Sequence, residues 1–292
     1  MTNPRMERYI NPYTDFGFKK LFGTAMNKDL LISFLNALLF KDKPKKTITD
    51  IHHLPTEHFG IYGNRRAIFD VFCETDDGSQ FIVEMQNVSQ KYYKDRSVFY
   101  ATFPILEQAR MGEEWDYQLK EVYTVGILNF EFKEDEYSKE CLHHEVKLMD
   151  TADNHVFYDK LTFVYLEMPK FNKTEDELVD MFDKWLFVLK NLSRLTERPK
   201  ALQERVFENL FKAAEIARFT PEERRGYEDS MKVYRDINNA IKTTDREAEK
   251  RGEKRGEEKE KRANAKKMKE LGASTDFIMQ VTGLTIEEIE KL

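Results

Sequence analysis

The stretch FDVFCETDDGSQFIVEMQ, residues 69–86, decides how the rest of the chain is read. Two strand-like runs, RAIFDVFCE (66–74) and SQFIVEMQ (79–86), flank Asp76, Asp77 and Gly78, so the segment predicts a β-hairpin. A buried hairpin should carry valine or isoleucine throughout. This one carries Asp70, Glu84 and Gln86 instead. Loop length determines whether they meet. A two-residue Asp77-Gly78 loop pairs Asp70 with Met85 and Glu84 with Val71, which sends the carboxylates to opposite faces. A three-residue loop, with Gly78 in the left-handed conformation, pairs Asp70 directly with Glu84. Gln86 then shares their face, because residues two apart on a strand point the same way. Glycine is the residue that this longer loop requires.

Two carboxylates facing each other repel, and burying them unpaired costs several kcal/mol. A positive group must lie between them. An oxygen-seeking divalent cation, Mg²⁺ or Mn²⁺, would satisfy both and would also accept the main-chain carbonyl of Met85. The alternative is a wet sheet edge where the carboxylates pair with Arg65, Arg66 or Arg96. The hairpin residues alone leave both readings open.

Outward from the hairpin, NKDLLISFLNALLF (27–40) places Leu30, Leu31, Phe34, Leu35, Leu38 and Leu39 at helical spacing behind an Asn27 cap. TITDIHHLPTE (47–57) has strand composition, ended by Pro55. Ser89 is placed to cap a helix running to Met111, stopped by Gly112 and interrupted by Pro104. EVYTVGILNF (121–130), HEVKLM (144–149) and LTFVYLEM (161–168) read as further strands. The order helix, three strands, helix, strand predicts an α/β sandwich with a mixed sheet rather than a doubly wound one. From Thr174 onward the pattern is helical, at 174–192, 200–217 and 221–240. These signals divide the chain into a core (1–170), a helical extension (171–242), a charged helical linker (243–270) and a small helical hairpin (271–292).

The charged segment reads as a solvated helix held by i,i+4 pairs rather than as a DNA contact. In the hairpin, Gly283 marks a turn and Thr285 a cap. Its second helix, IEEIEKL, is acidic and therefore better suited to self-association than to phosphate, which makes the C-terminal helices the candidate surface for a homo-oligomer, while the charged helix reads equally as a spacer or a pairing surface. The net charge of −6 argues against a protein that coats nucleic acid through bulk electrostatics, and leaves room for a local basic groove. Cys73 and Cys141 offer neither a disulfide framework nor a zinc pattern, which suits a reducing cytoplasm. No run approaches the ~18 apolar residues that span a bilayer, so no membrane is expected. His52, His53 and His58 lack a converging fourth ligand for zinc. His143 and His144 read as strand-edge residues, and Trp115 and Trp185 as core.

The order of aspartate in one strand and Glu-x-Gln in the next resembles the PD-(D/E)xK nuclease superfamily, in the branch called recombination-promoting nucleases or PDDEXK-type transposases, where glutamine stands in the lysine position. TDFGFKKLFG (14–23), NKDLLISFLNALL (27–39), the hairpin itself, Tyr92-Tyr93 to Arg96, and GEEWDYQLKEVYTVGIL (112–128) carry the likeness. It is close over residues 10 to about 130 and looser beyond. The resemblance implies a restriction-endonuclease-like core and Mg²⁺- or Mn²⁺-dependent hydrolysis of DNA, linked to recombination or mobile elements. Asp70 and Glu84 would hold the metal with the Met85 carbonyl, and Gln86 would orient water or phosphate. Glutamine cannot supply the lysine's charge, so either a second metal or a nearby Arg96 or Lys19 would offset it. Tyr93 joins them as an accessory, though packing is the plainer role for the aromatics of 92–100. Asp15 is either a further metal-side carboxylate or, the reading preferred here, the cap of the helix that follows it. A catalytically weak or inactive nuclease-fold module that binds nucleic acid or self-associates is the competing expectation.

Overall fold

Strands that are buried on both faces need apolar residues at nearly every position, and β5 (Gln80–Gln86) and β6 (Val122–Leu128) have that pattern. They form the centre of the sheet. A computed structural model of the chain describes residues 7–41, 46–59, 66–109, 116–132 and 139–292. Arg65, Gly112 and Trp115 lie outside the described residues. With β1 (His52–His53), β4 (Val71–Glu74), β7 (His143–Asp150) and β8 (His155–Glu167), the central strands make a six-stranded sheet in the order β1-β4-β5-β6-β8-β7. The β5-β6 and β6-β8 pairs are parallel, and the other three are antiparallel. This is the mixed α/β architecture expected from the sequence.

The hairpin register is that of the three-residue loop. Val71 pairs with Val83 and Glu74 with Gln80, which sets Asp70 opposite Glu84. Gly78 adopts φ 83°, and its N–H donates to the Thr75 carbonyl at 2.9 Å. The first expected strand, however, is broken. Arg66–Ile68 (β3) pairs with Glu57–Phe59 (β2) in a separate two-stranded ribbon, and the chain bends at Asp70 before joining the main sheet. The strand expected over 47–57 is likewise split, with only His52 and His53 on the main sheet.

Even-numbered residues of β5 face α3 (Tyr93–Glu107), whose Tyr93 and Ala101 pack over Leu128 and Tyr165 on one side of the sheet. Odd-numbered residues join the main core on the other side, with α1 (Asp15–Phe22) and α2 (Lys28–Leu39). The expected Ser89 cap is not used. A turn occupies 91–92 and α3 begins at Tyr93, because the chain first carries Gln90 back toward Arg96. Asp15 is not the cap of α1 either: Thr14 holds that position, its hydroxyl accepting the Gly17 N–H at 3.0 Å. Asn27 precedes α2 without capping it, its amide donating to the Lys20 carbonyl instead.

α4 (Met181–Asn191) and α5 (Arg205–Ala214) bury Trp185, Phe207 and Leu210 in the main core. The region expected as an extension therefore shares the sheet's core through Met231. α6 (Pro221–Glu270) is one 50-residue helix. The chain divides within it into compact units, Met1–Tyr234 and Arg235–Leu292. The second unit has its own small core, in which Ala265 packs with Ile278 of α7 (Thr275–Thr282), Leu284, and Ile289 of α8 (Ile286–Glu290). Thr285 caps α8 reciprocally with Glu288, as its sequence predicts. Among the described residues, no helix is long and apolar enough to cross a membrane.

Candidate active site

The bend at Asp70 frees one edge of β5 exactly where the polar residues lie, because β4 pairs with β5 only as far as Val83. Met85 donates its N–H to Asp70 Oδ2 at 2.8 Å, so a side chain replaces the missing ladder partner. A strand residue projects its N–H and C=O to the same edge, and the Met85 carbonyl therefore looks toward that opening. Glu84, 5% exposed, accepts a long hydrogen bond from the Asp70 N–H at 3.4 Å and a second from Gln86 Nε2 at 2.9 Å. Gln86 Oε1 in turn accepts from Arg96 Nη2 at 2.6 Å. Asp70, Glu84, Gln86 and Arg96 thus form one connected group at the C-terminal end of β5.

Burial raises the Asp70 carboxyl above its ordinary range, against the Met85 hydrogen bond and the charge of Lys19. Burial and the negative charge of Asp70 push Glu84 up to about 8. Of the arginines considered as partners, Arg96 comes within 4.0 Å of Glu84 and Arg66 pairs with Glu57 instead. A buried and a half-buried carboxylate, both with raised proton affinity, and a carbonyl on an open strand edge make an all-oxygen donor set suited to a hard divalent cation. The residues present fit Mg²⁺ or Mn²⁺.

A family model described as PD-(D/E)XK nuclease family transposase matches residues 12–244. The chain belongs to that family. No curated protein and no solved structure matches it. The mixed sheet with flanking helices is the restriction-endonuclease-like fold of that family.

The accessory residues divide by side. Asn87, just past β5, donates to the Tyr13 carbonyl at 2.6 Å and anchors the start of α1 near the site. Asp15 and Lys19 stand there as an exposed pair 2.7 Å apart, and both charges act on Asp70. Tyr93 comes from the opposite side, over the sheet. Gly126 is level with Glu84 in the parallel β5-β6 register, and a Cβ on it would lie 2.4 Å from the Tyr93 hydroxyl. The glycine makes room for this buried tyrosine beside Glu84, whose charge adds to burial in raising the phenol's pKa.

The histidines go elsewhere. His52 meets Asp76, His53 meets the Phe22 carbonyl, and His58 is buried against Phe69 and Phe72 with Glu107 on its Nδ1. Sequence reasoning passed over two clusters. Glu167, fully buried at the end of β8, accepts from Lys170 and the Phe132 N–H and bonds His144 at 2.6 Å. The parallel register sets Gln86, Leu128 and Glu167 level across three strands, an alignment with no local signature in the sequence. Asp150, Asp153 and His155 gather at the β7-β8 turn, where their acidic groups already serve turn contacts to Ala152 and His155.

Proposed function

We propose that this protein is a metal-dependent DNA endonuclease that hydrolyses phosphodiester bonds, acting in recombination or on mobile elements. The observation that carries the reading is that Asp70, half-buried at the bend, stands opposite the buried Glu84, its N–H reaching the Glu84 carboxylate, beside an open backbone edge. Asp70, Glu84 and the Met85 carbonyl would hold Mg²⁺ or Mn²⁺. Such an ion, when bound, lowers the pKa of water and polarises the scissile phosphate. The chain's own part is positional. Hydrogen bonds from Met85 and Gln86 fix the two carboxylate groups, and the buried Tyr93 of α3 lies close enough to Glu84 to feel its charge. Gln86 is placed to orient water or a phosphate oxygen through its amide.

Nicking of supercoiled plasmid with Mg²⁺, Mn²⁺ or Ca²⁺ tests this, comparing wild type with Asp70→Ala and Glu84→Ala. Metal-dependent nicking that both substitutions abolish is the expected result. Folded wild-type protein that cuts with no metal overturns it. A second reading, a nuclease fold kept as a DNA-binding module, is favoured by one observation: the neutral Gln86 amide is already engaged on both sides. That reading expects DNA binding unchanged in Asp70→Ala and no metal dependence.

A further inference from the structure

We propose that Arg96, delivered from α3, supplies the positive charge that position 86 lacks, with Gln86 as its bridge to Glu84. The inference rests on the nuclease reading above and assigns a role within the same site.

The guanidinium is held from several directions. Nη2 donates to Gln86 Oε1 and Nη1 to Gln90 Oε1, both at 2.6 Å. The rings of Tyr93 and Tyr100 lie 5.2 and 5.5 Å from its central carbon, within cation–π range. Arginine has donors only, so the Gln86 oxygen must face it and the Gln86 NH₂ must face Glu84. Arg96 thereby fixes which way the amide points. The same nitrogen lies 4.0 Å from Glu84 Oε2, so its charge acts on the carboxylate directly as well as through the bridge. A lysine at 86 would bring its ammonium along the path that Gln86 now occupies. Here the cation stands one side chain further out, on a helix.

Among the described residues, Lys19 is a second cation whose charge acts on the carboxylates, and it is less suited. Its ammonium pairs with Asp15, its side chain is 42% exposed against 27% for Arg96, and water screens such a pair. Arg96 also keeps an unused donor, since its buried Nε has no hydrogen-bond partner. A rigid, partly desolvated cation acts more strongly on developing charge than a mobile, screened one.

Relocating the charge tests this. Arg96→Met keeps an aliphatic stem between the tyrosines and removes the cation. Plasmid nicking would be measured for wild type, Arg96→Met, Gln86→Lys, the double variant Arg96→Met/Gln86→Lys, and Asp70→Asn, with thermal melting of each. We expect Arg96→Met to lower kcat ~100-fold with little change in KM, the size of effect seen when one charge-stabilising donor is lost. Gln86→Lys should lower activity in the wild-type background, where two cations would adjoin, and raise it at least ~10-fold in the Arg96→Met background. Wild-type kcat in Arg96→Met overturns the proposal. So does failure of Gln86→Lys to rescue when the variants melt like wild type. If Arg96→Met does not fold, Arg96→Lys decides: natively melting protein with detectable nicking supports a charge role, and activity as low as in Asp70→Asn overturns it. The nuclease reading fails separately, if wild type cuts with no metal or Asp70→Asn cuts as well as wild type.

Discussion

Glu84→Gln should make the metal-free protein more stable near neutral pH and no more stable in acid. The ordinary carboxyl value of 4.5 is raised in the fold to about 8, mainly by burial and next by Asp70. A raised acid leaves its contribution intact below the unfolded value and loses it as pH climbs toward the folded one. Between pH 4.5 and 7 the loss accumulates over ~2.5 pH units at ~1.4 kcal/mol each, or about 3.5 kcal/mol as an upper figure. The amide removes that cost but cannot reproduce both contacts. Glu84 accepts from the Asp70 N–H and from Gln86, and one amide oxygen serves only one of them well. A lost hydrogen bond returns ~1 kcal/mol. The net gain is up to ~2.5 kcal/mol at pH 7, falling toward zero or below at pH 4. Urea unfolding in EDTA, followed by tryptophan fluorescence at both pH values, measures it. A Glu84→Gln protein less stable than wild type at pH 7, or a difference independent of pH, refutes the reasoning.

Three further outcomes are expected. Mn²⁺ or Mg²⁺ should raise the melting temperature of wild type but not of Asp70→Asn, and more at pH 8 than at pH 6, because protons held by the raised carboxyls compete with the ion; a shift of equal size in Asp70→Asn would place the metal elsewhere. Gly126→Ala puts a methyl 2.4 Å from the Tyr93 hydroxyl and should cost ~1–3 kcal/mol by overpacking, with Tyr93→Phe in the same chain recovering part of it in the same unfolding assay. A chain ending at Tyr234 keeps the core residues Tyr227 and Met231 and should melt cooperatively within a few degrees of the full-length protein by circular dichroism.

The register of the hairpin was legible because two local signals agreed: a glycine at the loop position with positive φ, and three polar residues, Asp70, Glu84 and Gln86, that the three-residue loop brings to one face. The α2 stripe was legible for the same kind of reason, since Leu30, Leu31, Phe34 and Leu35 all reach the core. The break at Asp70 was not. RAIFDVFCE has continuous strand propensity, and its division between two sheets is set by what each half meets, β2 on one side and β5 on the other. The start of α3 was misplaced because Ser89 has the chemistry of a cap but stands in a segment whose path is fixed by Gln90 and a buried Tyr93. Asp15 lost the cap position to its neighbour Thr14, and one sequence cannot separate adjacent cap-competent residues. Arg96 was visible as a candidate, but its bond to Gln86 joins a helix to a strand and has no local signature.

A sheet accepts these carboxylates because the ladder stops where they begin. Had RAIFDVFCE continued as one strand, residue 69 would pair with Met85 through the backbone, and the carbonyl now facing the opening would be consumed. Instead the bend moves Asp70 out of the ladder, and its side chain takes the Met85 N–H that the strand gave up. The Phe69 N–H is spent on the Thr56 carbonyl, and its ring is buried with Phe72, Tyr100 and Phe103, so apolar packing holds the bend in place. The stability given up is local: one rung of β pairing and the desolvation of two acids. The rest of the molecule offsets it with a core running from Tyr9 to Met231. The same logic accounts for Gly126, a residue unfavourable in a central strand, since any side chain there would displace Tyr93, one of the two rings holding Arg96. Positions that break the local rules for a strand thus lie around one point, and a site built this way should gain stability when its charges are removed and lose function when they are, which is the joint outcome that Glu84→Gln is expected to show.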